Sequence, residues 1–143
     1  MSVLRKSALV VAVSSTAALA IVGVGSGPAA AAGKYYGTLA VSKSTGKVVA
    51  AVDQPSRVRA DAEAIRECAV YDCELVQRFV DGCAAIARGA DGAYGWAAAG
   101  TRTEAEQFAI GALGESAPPF PDLGSAQARP ATVALSACTA NAN

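Results

Sequence analysis

The chain reads as a small α+β domain: an antiparallel sheet of about five strands, two helices packed on one face, and disulfides holding the ends. Three observations predict it. Two stretches with helix-capping residues each follow a pair of short β-prone runs. Glycine-containing turns separate those runs. Four cysteines occur without a single histidine, behind a leader that points to an oxidising compartment.

The leader occupies residues 1–32. Arg5 and Lys6 precede an apolar run from Ala8 to Val24, and Pro28 and Ala29 to Ala32 follow, ahead of Gly33. A positive n-region, an apolar h-region and an Ala30-x-Ala32 site form a secretory signal peptide. An uncleaved anchor is the competing reading, since about 20 apolar residues span a bilayer. Ser14, Ser15, Thr16 and several glycines weaken it, and no cysteine near the cleavage point offers a lipid attachment. Cleavage leaves 111 residues with ten basic against twelve acidic side chains. No second stretch of spanning length follows, so no stable membrane span is expected after cleavage. The protein is expected to be secreted, extracellular or in the cell envelope.

Tyr35 to Ser42 alternates, Ser44-Thr45-Gly46 turns, and Lys47 to Val52 carries Val48, Val49 and Val52. This reads as a hairpin. Ser56 caps a helix whose predicted buried stripe is Val58, Ala62, Ile65 and Ala69. Cys73–Val80 and Cys83–Arg88 flank Asp81-Gly82, a type I′ hairpin signal. Asp91-Gly92 then leads into Ala93 to Ala99. Thr101-Arg102-Thr103-Glu104 is a capping box opening a second helix, with Ala105, Phe108, Ala109, Ala112 and Leu113 facing inward and Gly114 as the stop. Arg59-Ala60-Asp61-Ala62-Glu63 and Arg102-Thr103-Glu104-Ala105-Glu106 echo each other 43 residues apart. The echo implies two strand–strand–helix units with one extra strand between them. Residues 33–114 therefore form the domain. Residues 115–143 form a tail, irregular over 115–131 because Pro118, Pro119, Pro121 and Pro130 oppose regular structure. Cys138 ties that tail back.

Four cysteines allow three pairings. With Asp81-Gly82 as a hairpin turn, Cys73 and Cys83 stand roughly 25 Å apart at about 3.3 Å per residue, too far for a bridge. Cys68 ends the first helix where Cys73 begins the next strand, which favours Cys68–Cys73 with Cys83–Cys138. The alternative, Cys68–Cys83 with Cys73–Cys138, needs the helix to run the other way. Intervening stretches of four, nine and fifty-four residues lack the short paired knuckles of a zinc site, so no metal is expected.

Without histidine the Ser-His-Asp and Cys-His arrangements are excluded. No phosphate-binding glycine motif is present, and no cofactor is expected. Basic residues are scattered, which argues against nucleic acid as a partner. Asp61, Glu63, Glu67, Glu104 and Glu106 are the carboxylates left for acid–base work, and they read as solvated helix faces. In Tyr94-Gly95-Trp96 the two aromatics share one strand face and Gly95 and Ala97 the other. With helices over the small residues, Tyr94 and Trp96, joined by Tyr36, would line an open face for a partner. The opposing reading makes Trp96 a core anchor.

Tyr36-Gly37-Thr38-Leu39-Ala40, the helix from Arg59 to Cys68, Asp72-Cys73, Gly82-Cys83-Ala84-Ala85, Tyr94-Gly95-Trp96 and the second helix opening occur in an order that resembles the domain of unknown function 4189 family over residues 35–113. The resemblance implies a small exported bacterial domain, often associated with the cell envelope, with no established activity and no catalytic residues to transfer. Family members usually close the second helix with a cysteine; Gly111 to Gly114 carry none, and Cys138 would replace it. The functional expectation is a secreted, non-enzymatic module that binds a protein or an envelope component. A small hydrolase acting on wall glycans through paired carboxylates, or a secreted enzyme inhibitor, are the alternatives.

Overall fold

A computed structural model describes residues 33–119 and 127–142. The signal peptide expected over residues 1–32 and residues 120–126 of the Pro-rich stretch lie outside the described residues. Strand β1 (Tyr36–Ser42) turns at Gly46 into β2 (Val48–Gln54), and the two pair antiparallel from Tyr36↔Gln54 to Val41↔Val48. Helix α1 (Arg57–Cys68) follows, and β3 (Cys73–Val80) returns along the other edge of β1. The second half repeats the course. Strands β4 (Cys83–Arg88) and β5 (Tyr94–Ala99) form a hairpin and α2 (Arg102–Leu113) follows. A short ladder of β6 (Glu115–Ser116) and β7 (Arg129–Pro130) leads to β8 (Thr132–Cys138), on the other edge of β4.

The fold is α+β, with two antiparallel three-stranded sheets of order β2-β1-β3 and β5-β4-β8. The single sheet with both helices on one face is thereby corrected. The physical reason lies in the central strands. Six of seven residues of β1 and five of six of β4 are buried, so each strand needs a cover on both faces. A helix covers one face and the other sheet covers the second. Leu39 and Phe79 of the first sheet meet Ala84, Ile86, Trp96 and Leu135 of the second in the central layer. Ala40, Ala51 and Ala64 form the layer under α1, and Cys83, Ala85, Ala87, Ala105 and Ala109 the layer under α2. The helices therefore occupy opposite outer faces of a four-layer sandwich, with β2 over β8 and β3 over β5.

The repeat is strand–strand–helix–strand. The strand read as an extra one between the units, β3, completes the first half. Residues 132–138, assigned to the tail, complete the second. The N-caps Ser56 and Thr101 lie 45 positions apart, so the structural repeat is two residues out of step with the sequence echo.

Both caps form as expected. Ser56 accepts from the Arg59 N–H at 3.3 Å, and Thr101 accepts from the Glu104 N–H while its hydroxyl donates to the Glu104 carboxylate. The buried stripes differ from the predicted ones. Ala60, Ala64 and Cys68 face the sheet from α1, whereas Val58 is 78% exposed and Ala62, Ile65 and Ala69 also face solvent. On α2, Ala105 and Ala109 are buried with Leu113 half-buried, while Phe108 is 59% exposed and Ala112 is exposed. Small side chains on the contact face let the helix lie close to the strands. At Gly95, an added Cβ would stand 2.8 Å from Leu113 Cγ and 2.9 Å from the Ala109 carbonyl oxygen. Val58, Ile65 and Phe108 stay outside that close contact, whereas Ile110 and Leu113 pack at its margin.

Asp81-Gly82 is also corrected: it carries the chain from one sheet to the other instead of closing a hairpin. A type I′ turn needs positive φ at both central residues, and only Asp81 has it, at +47°. The Asp81 carboxylate accepts from the Tyr35 N–H at 2.9 Å and from Asn141 Nδ2 at 2.8 Å. Those bonds, the Tyr35 one foremost, hold its pKa below the ordinary carboxylate value.

The disulfides join Cys68 to Cys73 and Cys83 to Cys138. Cys83 and Cys138 are register partners on β4 and β8. The Thr139 N–H donates to the Gly82 carbonyl just outside the pair, which marks a non-hydrogen-bonded position, where facing Cα atoms lie closest. The Cys68–Cys73 loop is pinned twice more. Lys47 Nζ donates to the Glu67 and Cys68 carbonyls at 2.8 Å each, closing the negative end of α1. Asp72 accepts from Ser42 Oγ at 2.6 Å and from the Ser44 N–H at 3.0 Å. These bonds, Ser42 first, lower the Asp72 pKa to about 2. The resulting stabilisation is complete above the ordinary carboxylate pKa and is lost as the pH falls toward that lowered value.

The bridges close sequence separations of 55 and 5 residues. Chain entropy then assigns about 4 kcal/mol to Cys83–Cys138 and about 2 kcal/mol to Cys68–Cys73. Urea unfolding of C83A/C138A and C68A/C73A should show the larger loss for the first pair; equal losses or the reverse order would contradict this assignment.

Candidate functional site

The β4–β5 hairpin ends in a tight turn over Gly89 to Ala93. The Gly89 N–H donates to the Ala93 carbonyl at 2.8 Å, and the Gly92 N–H to the Gly89 carbonyl at 3.0 Å. Asp91 folds its carboxylate back to accept from the Ala93 N–H at 3.0 Å. On the other side, β4 pairs with β8 up to Arg88↔Thr132, which brings Arg129 and Pro130 of β7 alongside the turn. Between these segments lies an open cleft of about 320 Å³, lined by Arg88, Gly89, Ala90 and Gly92 on the turn side and by Arg129, Pro130 and Thr132 opposite.

Arg88 is held in place by an aromatic neighbour. Tyr94 is its register partner on β5, and the guanidinium carbon stands 5.6 Å from the centre of the Tyr94 ring, within cation–π range. The Tyr94 hydroxyl is buried without a hydrogen-bond partner among the described residues. It lies beside the β1–β2 turn, where a Cβ added at Gly46 would come 3.4 Å from it and 3.9 Å from Arg88 Nη1.

Tyr94 and Trp96 do share one face of β5, and Gly95 faces α2. The face they share is not open, because the first sheet covers it. Both rings pack against the central layer of Leu39, Phe79 and Ile86 while keeping part of their surface in solvent. A one-sheet reading left that face bare; the second sheet is what fills it. Tyr36 is half-buried on β1, opposite Gln54 and Val80, and does not join the other two in that layer. None of the three lines the cleft, and Tyr94 is connected to it through its contact with Arg88. Arg88 and Arg129 escaped the sequence reading because scattered basic residues reveal nothing until strand pairing collects them.

Four of the five helix carboxylates are tied to structural partners, and Glu67 is exposed on α1 with no side-chain partner among the described residues. Asp61 accepts from Thr38 Oγ1 at 2.8 Å and from Arg78 Nε at 2.9 and 3.0 Å. Glu63 pairs with Arg66 on the same helix. Glu104 closes the capping box of α2, and Glu106 accepts from Ser136 Oγ at 2.6 Å. Asp61 and Glu106 each stand five positions after their N-cap, so both halves use the same helix position to grip a strand. Among the described residues no group of three or more His, Cys, Asp or Glu could hold a metal ion. No helix there is long and apolar enough to cross a membrane.

Two disulfide-bridged strand–strand–helix–strand halves, packed sheet to sheet, define a small duplicated α+β domain. The chain belongs to the family described as Domain of unknown function (DUF4189), whose model matches residues 36–138. That span runs from the first residue of β1 to the last of β8 and so takes in both halves and all four cysteines. Comparison with curated proteins and with solved structures found no match.

The position of Trp96 makes a prediction. Trp96→Ala removes a ring packed between the sheets and should cost about 3 kcal/mol, read as a lowered urea midpoint. A change within about 0.5 kcal/mol, typical of surface substitutions, would place the ring outside the core.

Proposed function

We propose that this domain acts outside the cytoplasm, in the medium or the cell envelope, as a non-enzymatic binding module stabilised by its two disulfides. The observation that carries the reading is the division of charge over the surface. Asp61, Glu104 and Glu106 are spent on holding helices to strands or closing a helix start, whereas the one cleft described above is lined by two arginines. A glycan hydrolase needs two carboxyl groups about 5 to 9.5 Å apart flanking the scissile bond. Asp61 lies on α1 and Glu104 and Glu106 on α2, with both sheets between the two helices. The partly exposed edges of Tyr94 and Trp96, with Tyr36, extend the proposed contact surface, since aromatics suit interfaces. Export is supported by the complete pairing of the cysteines and by the leader pattern in the sequence. The partner is an envelope component or a protein, and a secreted inhibitor is the form this reading takes if the partner is an enzyme.

Intact-mass analysis of the protein recovered from culture fluid and envelope fractions tests the reading. The expected species begins near Gly33, carries two bridges and releases no product from wall glycans. Free thiols, a retained leader or glycan hydrolysis abolished by Glu106→Gln would overturn it.

A further inference from the structure

We infer that the cleft between the β4–β5 turn and the β7–β8 segment binds an oxyanion, a carboxylate or phosphate group, through the guanidinium groups of Arg88 and Arg129. The inference rests on the binding reading above and gives it a ligand chemistry.

The first argument is where these two arginines stand: Lys34, Arg57 and Arg59 also have no carboxylate within ion-pair distance among the described residues, but they do not line the cleft. Lys43, Arg66 and Arg78 each pair with a carboxylate, Lys47 closes the end of α1, and Arg102 donates to Ser136. Among the described residues Arg88 and Arg129 have no carboxylate within ion-pair distance, yet strand pairing sets both on one cavity. The acids nearby are not ion-paired with them: Asp91, which accepts from the Ala93 N–H, and Glu115, opposite Pro130 in the β6–β7 ladder, do not line the cleft. Two unpaired cationic residues lining one space favour a bound anion over an empty one.

Preorganisation is the second argument. Stacking on Tyr94 restricts the Arg88 side chain before any ligand arrives, which lowers the ordering cost of binding. A guanidinium fork matches the two oxygens of a carboxylate or phosphate in a bidentate hydrogen bond, which an ammonium does not. Shape is the third. The volume of about 320 Å³ is at the low end for small-molecule sites, and Gly89, Ala90, Gly92 and Pro130 form a wall with little side chain. Such an open, shallow cleft suits a terminal anionic group on a larger molecule.

An NMR titration of the purified exported protein tests the site, following the amides of Gly89, Ala90, Gly92 and Thr132 at constant ionic strength. Inorganic phosphate and acetate are the two probes, with chloride as the control. Saturable shifts with at least one oxyanion are expected, and the stronger probe identifies which oxyanion the cleft prefers. Arg129→Gln should weaken binding about tenfold, R88Q/R129Q should abolish it, and Arg129→Lys should fall between. Linear shifts matched by chloride, or unchanged affinity in a folded R88Q/R129Q, would overturn the inference. Those results reject the cleft alone; the binding reading itself fails on the mass and glycan tests above.

Discussion

The structure depends on one constraint: β1 and β4 are buried on both faces and must be covered twice. Neither strand can sit with one side in water, because Leu39 and Ile86 point one way while Ala40, Ala85 and Ala87 point the other, and all are fully buried. Joining the two sheets through the larger side chains covers one face of each at once. Helices pressed against the alanines cover the remaining faces. The division of labour by size follows from geometry. Sheets packed face to face stand about 10 Å apart and need branched and aromatic residues to fill the gap, whereas a helix lies close only over a small-residue face. Gly95 under Leu113 is the extreme case.

That arrangement fixes where polar chemistry can reside. With the helices outermost, one carboxylate of each becomes a clamp onto the strands beneath, Asp61 with Thr38 and Arg78 and Glu106 with Ser136. The strand ends remain available for contact. At one of them, the β4–β5 turn and the β7–β8 segment collect two arginines, one of them set over the Tyr94 ring. The disulfides serve the same frame: one clamps the exit of α1 to β3, and the other fastens β8 to the central strand it covers.

Features set by local chemistry were legible in the sequence. The turn ending at Gly46, the Asp91-Gly92 turn, the Ser56 cap and the Thr101–Glu104 capping box all depend on residues within a few positions of each other. What depended on distant partners was not. Asp81 adopts the left-handed conformation that an Asp-Gly hairpin would show, but Gly82 is there for clearance. A Cβ added to it would stand 2.8 Å from the Ala99 carbonyl oxygen. The disulfide pairing reasoned from that supposed hairpin coincides with the observed bridges, although the premise was mistaken. Strand β8 was hidden behind prolines. The face of α1 was misread and that of α2 read in part, with Ala105, Ala109 and Leu113 inward as expected; hydrophobicity rules also place Val58, Ile65 and Phe108 inside, where close packing favours small side chains. At the site, the shared face of Tyr94 and Trp96 was readable from alternation. What stands opposite that face was not, nor was the meeting of Arg88 of β4 and Arg129 of β7.

The four-layer order is the claim from which the separation of carboxylates and the exposure of the cleft both follow. It can be measured directly by pulsed electron-spin distances between labels on non-cysteine encoded side chains at the exposed positions Ala62 on α1 and Gln107 on α2. Helix, sheet, sheet and helix stacked at about 10 Å per step place the labels about 30 Å apart or more. A distance near 10 Å, that of helices side by side on one sheet face, would contradict the account.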